Sequence, residues 1–338
     1  MKKKFFIGID VSKHTIDVAF LEPNHSDKPK WKVFDNTDLG MQFFSEWLKE
    51  HAIAFSNSSL IVIENTGIYH RRLLNFCLSH KLPICVENGA QVKWSLGIAR
   101  GKSDKVDSRR LAVYAMRFAD RLKPASALAP GIQKLKDLIS VRSRHRIQLS
   151  SLKAYLKELK QTSDSKNALH LQKMHEPFIK TAQQLIKKIE ADIIKTLQAD
   201  ESTSRQYKLL ISVPCIGPIT AAYLIACTNS FTNCQSAKQL ACYCGVVPFI
   251  HQSGISIKGR HHVHKMANKT LKALLHLCAL AAIKYVKEFQ DYFNRKVLEG
   301  KHKMSVINAL RNKLVLRAFA VVTNDRPYVD NRFWNLEK

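Results

Sequence analysis

The 338-residue chain is long enough for more than one hydrophobic core, and 54 Lys+Arg against 27 Asp+Glu give it a formal charge of +27. That surplus points to a polyanionic partner, nucleic acid first. The composition excludes several classes. No window approaches the roughly 20 uninterrupted apolar residues of a membrane span, the N-terminal "MKKKFFIGIDVSK" lacks the apolar core of a signal peptide, and eight cysteines without C-x-x-C spacing read as reduced thiols of a cytoplasmic protein.

Residues 1–128 read as an α/β domain. "FFIGIDVS" and "TIDVAFL" are β-rich runs joined across Lys13-His14, which suggests a hairpin, and "KWKVFDN" offers a third strand. "DLGMQFFSEWLKEH" has helical periodicity, "LIVIE" is an apolar strand, "YHRRLLNFCLSH" returns to helix and "LPICVE" to strand. A three-strand opening followed by α/β alternation predicts a mixed sheet covered by helices.

Within this region, period two puts Phe6, Gly8, Asp10 and Ser12 on one strand face. An acid inside an apolar strand is costly unless paired, hydrogen-bonded or metal-bound, and Gly8 beside it leaves space for something large to approach. Asp17 on the next strand is a decoy candidate. Glu64 ends a run that is apolar on both faces, so its carboxylate should emerge at the end of a central strand. In "GKSDKVDSRR", Ser103 is a plausible N-cap, and Asp104 and Asp107 share a helical face, with Arg109 and Arg110 following. Hard divalent cations take oxygen ligands, and phosphoryl transfer uses one or two of them. Each acid also has a bland reading: a turn-facing Asp10, a helix-capping Glu64, a solvated first turn for the Asp pair.

Residues 129–204 change character. Leu135, Leu138, Leu149, Leu152, Leu156 and Leu159 follow a three-four spacing, with Arg142 and His145 between them. After the polar "KQTSDSKN" and the Pro177 region, a second helix carries Phe178, Ala182, Leu185, Ile189 and Ile193. Two amphipathic helices joined by a polar turn predict an antiparallel hairpin or an oligomerising coiled coil, with a plain helical spacer as the alternative.

Residues 205–338 read as mainly helical, opening with an apolar helix, the turn in "SVPCIGP" and another apolar helix. Between Glu201 and Glu288 no Asp or Glu occurs, against ten Lys and Arg. Inside that run lies "GVVPFIHQSGISIKGRHHVHK", with Ser253 in a Ser-Gly pair and Lys258, Arg260 and Lys265 as candidate phosphate contacts. A serine in a Gly turn is most often structural, and a hydroxyl needs a base or a metal to become a nucleophile. His251, His261, His262 and His264 fit no zinc spacing and suit phosphate or base contacts as well.

Asp10, Glu64, Asp104 and Asp107, in the blocks "GIDVSK", "IENTG" and "GKSDKVDSRRLA", resemble the D-E-D-D set of the DEDD transposases, the insertion-sequence 110 family, whose relatives include pilin-gene invertases. The resemblance spans nearly the whole chain, through "VPCIGPITAA" and "SAKQLACYCGVVPFIHQSG". Cys215 stands where a glycine is common, and Ala267 in "KMAN" departs from the usual "K-R-G-N/D". The resemblance implies a RuvC/RNase H-like first domain holding Mg²⁺ (or Mn²⁺) at the four acids. It further implies a helical coiled-coil insert and a mainly α C-terminal domain with Ser253 as catalytic serine, brought together with the acids in a multimer, dimer or tetramer. Donor and target DNA and a structured guide RNA are the implied partners, with Lys102, Arg109, Arg110, Lys258, Arg260 and Lys265 as nucleic-acid contacts. Two rivals stay open: a metal-dependent nuclease or junction resolvase using water, and a non-catalytic nucleic-acid-binding protein whose acids are structural.

Overall fold

The computed structural model describes residues 4–22, 29–53, 58–97, 103–129, 131–162, 164–249, 252–253, 257–259 and 262–329. It divides into two units, Met1–Ala127 and Leu128–Lys338.

The first unit is built on a five-stranded sheet of order β3-β2-β1-β4-β5. Strand β1 (Phe5–Val11) turns back into β2 (Thr15–Leu21), then β3 (Lys30–Asp35), all antiparallel. The β1–β2 turn is closed by Ser12, whose Oγ donates to the Thr15 carbonyl and accepts from the Thr15 amide, both at 3.0 Å. Strands β4 (Ser59–Glu64) and β5 (Ile84–Glu87) run parallel to β1. The expected mixed sheet is therefore present, with β4 between β1 and β5 as its doubly apolar sequence requires.

Period two divides the side chains between two cores. Ile7, Ile9, Val11, Ile61 and Ile63 face helices α1 (Asp38–Glu50) and α2 (Arg71–Ser79), meeting Phe44, Trp47, Leu73 and Cys77. Phe6, Leu60, Val62 and Cys85 face α3 (Gly89–Leu96) and α4 (Asp104–Arg117), meeting Val92, Leu111 and Tyr114. The buried Asn36 side chain donates at 3.0 Å to the carbonyls of Ser12 and Tyr69, tying the end of β1 to the loop beyond β4.

Among its described residues, the second unit is mainly helical, with one short hairpin. Helices α5 (Ile132–Thr162) and α6 (Ser165–Gln198) pack on each other as a pair. The second helix begins before Pro177, not after it: Pro177 lies within α6, which starts at Ser165 inside the polar "KQTSDSKN" stretch. One missing N–H and a local kink are tolerable in a helix of this length. Ile132, Leu135, Ile139, Ile189 and Ile193 belong to one core with α7 (Glu201–Ser212), α8 (Pro218–Thr228), α9 (Ala237–Tyr243), α10 (Lys269–Tyr285), α11 (Lys287–Leu298) and α12 (Lys303–Thr323). The turn between α7 and α8 holds Cys215 at φ 67°, the left-handed region that glycine enters without strain. Pro218 opens α8 at its first turn. All eight cysteines are free thiols. Among the described residues no helix is long and apolar enough to cross a membrane.

Candidate active site

Gly8 sets up the first unit's site. A Cβ there would stand 2.1 Å from the Ala112 amide nitrogen and 2.2 Å from the Ser108 carbonyl oxygen, so the α4 backbone lies directly on β1. The large approaching object is this helix. Ser103 caps it, accepting from the Val106 amide at 3.3 Å, and the first turn carries Asp104 and Asp107. Glycine in the strand thus delivers two acids on a helix to the neighbourhood of Asp10, two residues further along β1.

The sheet contributes the rest at the same end. The register pairs Asp10 with Asp17 and Glu64 with Glu87. Paired residues project on one face, and each of these belongs to the α4-facing set. Glu64 is exposed at the end of a buried strand, and its carboxylate occupies the space a Gly89 side chain would fill. These positions are the carboxyl ends of the parallel strands, where α/β sheets place their ligand sites.

The charges interact. Asp10 is raised from 3.8 to about 6, first by burial and then by repulsion from Asp104, Asp107, Asp17 and Glu64. An acid held against burial and four like charges is the electrostatic signature of a functional cluster. Asp17 differs from Asp10: it is buried, and it accepts a 3.0 Å hydrogen bond from Trp31 Nε1. Lys105, between the two helical acids, lies 4.3 Å over the Trp31 ring. Burial still raises the Asp17 carboxyl, while the Trp31 bond opposes that rise. Glu87 escaped the sequence reading. It accepts from Tyr114 Oη at 3.3 Å, and burial raises it. A signal existed, since "LPICVE" repeats the pattern of "LIVIE", an apolar strand closed by a glutamate.

Among the described residues, no three His, Cys, Asp or Glu side chains are arranged to hold a metal ion as they lie. The donor chemistry nevertheless suits a hard divalent cation: oxygen ligands only, drawn from two strands and a helix, with unrelieved negative charge at Asp10. Beside the acids, Arg109, Arg110 and Arg117 line a groove of about 250 Å³ with Leu96, Val106 and Val113. Arg110 donates to the Gly97 carbonyl at 3.1 Å, and Arg109 Nε has no partner. Lys102 lies outside the described residues.

In the second unit, the segment between α9 and α10 forms a two-stranded hairpin, β6 (Gln252–Ser253) against β7 (Ile257–Lys258), pairing Ser253 with Ile257 and Gln252 with Lys258. Phe249 and His262 exchange backbone hydrogen bonds of 2.9 and 3.3 Å at its base. His262, His264 and Lys265 are exposed, and His264 Nδ1 accepts from the Met266 amide at 3.2 Å. The side chains of Ser253 and Lys258, and residues His251, Arg260 and His261 altogether, lie outside what the structure describes. Asn268 caps α10, accepting from Leu271 N at 2.9 Å, and donates to Tyr243 Oη at 3.1 Å.

An α/β unit with a cluster of carboxylates, joined to a helical unit that has no Asp or Glu between Glu201 and Glu288, suits an enzyme that processes DNA. Residues 7–162 match a DEDD-type family described as "Transposase", and residues 207–294 match "Transposase IS116/IS110/IS902 family". The chain belongs to the IS110 transposase family. It is similar to the "Pilin gene-inverting protein" of Moraxella bovis, 29% identical across 96% of this chain and 98% of that one, and to its Moraxella lacunata counterpart at the same identity and coverage. It also resembles the "Insertion element IS110 uncharacterized 43.6 kDa protein" of Streptomyces coelicolor, 30% identical over 37% of this chain and 30% of that one. The DEDD-type match points to divalent-metal chemistry in general.

Proposed function

We propose that this transposase cuts and rejoins DNA through a covalent phosphoserine intermediate, guided by a structured RNA. The observation that carries the catalytic half is the close seat of α4 on Gly8, which gathers Asp104 and Asp107 toward Asp10 and Glu64 and leaves Asp10 under repulsion. The sheet order, with an antiparallel hairpin followed by two parallel strands, supports a RuvC/RNase H-like reading of the first unit. Asp10, Glu64, Asp104 and Asp107 would hold Mg²⁺, or Mn²⁺ in its place, which would supply positive charge to the oxygens of the reacting phosphate.

Ser253 Oγ attacks the phosphorus. The Oγ–P bond forms as the P–O3′ bond breaks, the hydroxyl loses its proton, and the 3′ oxygen gains one. The 5′ phosphate stays on the serine until another 3′ hydroxyl reverses the attack, so the phosphodiester is conserved and no external energy source is needed. No acid lies in the run around Ser253, between Glu201 and Glu288, and in this reading the carboxylates that serve it are those of the first unit, of the same or another copy. The helix pair α5–α6 suits a coiled coil that joins copies into a dimer or tetramer. Lys102, Arg109, Arg110, Lys258, Arg260 and Lys265 supply nucleic-acid contacts.

The test uses purified protein, its flanking RNA, Mg²⁺ and labelled donor DNA, quenched with denaturant. A protein–DNA adduct in wild type, lost in Ser253→Ala and in Asp10→Ala, is the expected result. Cleavage without an adduct that persists in Ser253→Ala would replace this reading with a water-using nuclease.

A further inference from the structure

Helix α12 carries two arginines in opposite circumstances. Arg317 pairs with Glu288 through Nη2 at 2.7 and 2.9 Å, and Lys313 joins the same carboxylate, so this positive charge is answered inside the fold. Arg311 is only 5% exposed and has no such answer. Its Nη2 meets His276 Nδ1 at 2.6 Å, its Nη1 reaches Asn308 Oδ1 at 3.4 Å, and its buried Nε has no partner. Among the described residues no carboxylate pairs with it. A buried guanidinium without a counter-charge is costly.

Its neighbours add to the positive charge. Lys272 and His276 stand four residues apart on α10 and so share a helical face. Both are half-buried. Burial and then the Arg311 charge lower both of them. Because Arg311 can only donate, His276 Nδ1 must accept, which puts the ring proton on Nε2 and fixes a neutral N–H donor. The cluster also adjoins the loop that leads to the serine. Asn308 Nδ2 donates to the Val246 carbonyl at 2.7 Å, and Lys272 Cδ lies 3.4 Å from where a Gly245 Cβ would be. From there the chain runs through Phe249 into β6.

We propose that Lys272, His276 and Arg311 form a phosphodiester-binding site beside the segment that leads to the serine-bearing hairpin, taking a backbone phosphate of the DNA. Lys272 Nζ and His276 Nε2–H contact the anion, and Arg311 acts beneath them, supplying charge and fixing the histidine tautomer. Anionic oxygens offer acceptors to a fixed N–H, a counter-charge to two cations, and a reason for the acid-free run that holds Lys272 and His276. The choice of DNA rests on the transposase reading; the anion site itself does not.

Two measurements on the full chain separate these. In thermal unfolding with and without inorganic phosphate, Arg311→Met should melt higher than wild type in anion-poor buffer, because it removes an unanswered buried charge, and should lose the rise in Tm that phosphate gives the wild type. In binding of labelled duplex DNA across a salt series, Arg311→Met, Lys272→Met and His276→Gln should each bind several-fold more weakly. The two cation losses should flatten the slope of log K against log salt by about 0.9, one phosphate's worth. Arg317→Met, whose charge is answered internally, should lower Tm and leave that slope unchanged. If Arg311→Met does not fold, the two rim variants carry both measurements. A lower Tm in Arg311→Met with phosphate response and DNA slope intact would make Arg311 a structural residue and overturn the site. A phosphate response lost with the slope changed only for RNA would overturn the assignment to DNA. Wild type without salt-sensitive DNA binding would overturn the transposase reading and the DNA assignment, while the phosphate response would still judge the site.

Discussion

Each unit holds charge of one sign together at one place, acids around Asp10 in the first and cations around Arg311 in the second. In the first, burial and then repulsion from acids on two strands and one helix raise the proton affinity of Asp10. In the second, Arg311 lies buried against His276 and Asn308, and among the described residues no carboxylate pairs with it. Each unit also contains a neighbour of the same charge type that is answered internally: Asp17 by Trp31 and Arg317 by Glu288. The lesson is that charge type and burial do not mark a functional group; the absence of an internal partner does. A residue whose partner lies within the fold contributes to stability, whereas one whose partner must arrive from outside lowers stability until it does.

The harshest way to break this contrast is to separate the first unit's acids. Gly8→Ala places a methyl group 2.1 Å from the Ala112 nitrogen and 2.2 Å from the Ser108 oxygen, both backbone atoms that cannot rotate away. Helix α4 must lift from the sheet, at a cost of about 3 kcal/mol in packing, taking Asp104 and Asp107 with it. Loss of DNA cleavage together with a fall in denaturation midpoint is expected. Full cleavage in a well-folded Gly8→Ala protein would show that α4 need not sit there for the acids to work.

Asp10→Asn tests the sign of the effect. It should reduce cleavage by about 10³-fold or more, as expected for removal of a group that stabilises developing charge. It should also make the protein, stripped of divalent ions by a chelator, more stable by about 1 kcal/mol once solvent screening is allowed for. The pH dependence follows from the same group. Its value is about 6 in the fold against 3.8 ordinarily, so its contribution to stability is most favourable below about pH 4. That contribution declines as pH rises through 6, where the folded protein must give up its proton. Asp10→Asn should flatten the decline in Tm between those limits. An Asn variant that melts lower than wild type at neutral pH would mean that Asp10 has a partner in the fold after all.

How far these contrasts could be read from the sequence depends on the range of the interactions. Period two in "FFIGIDVS", the Ser103 cap and the Asp104/Asp107 spacing are local, and each appears as the residues alone suggest. Gly8 announced a close approach but not its partner, which lies about a hundred residues away in α4. The Trp31–Asp17 bond depends on strand register, a long-range property, and so did not show in a pass along the chain, whereas Glu87 closes "LPICVE" as Glu64 closes "LIVIE" and was legible there. Pro177 misled because a local breaker signal competes with the packing of a 34-residue helix, and there the packing prevails. Arg311 lies beyond any such signal: an arginine in an apolar helix reads as a snorkelling surface residue until its burial is seen.

The smallest expected effect sharpens the comparison from the answered side. Asp17 faces Asp10 across the β1–β2 ladder and, like it, is raised by burial and by Asp104, yet Trp31 Nε1 gives it a hydrogen bond that opposes the rise. Trp31→Phe keeps a ring beneath Lys105 and so preserves most of the cation–π contact while deleting the one N–H that Asp17 accepts. A buried acceptor left unsatisfied costs about 1–2 kcal/mol, so the denaturation midpoint should fall, the reverse of Asp10→Asn. Cleavage under saturating metal should stay within about threefold of wild type, because Asp17 is held by the fold and not by the reaction. If Trp31→Phe instead loses cleavage while keeping its midpoint, Asp17 belongs with the reacting acids and the division drawn between the two aspartates fails. Equal losses of both would mean that the Lys105–Trp31–Asp17 stack positions the start of α4, so that stability and catalysis share one contact at this end of the sheet.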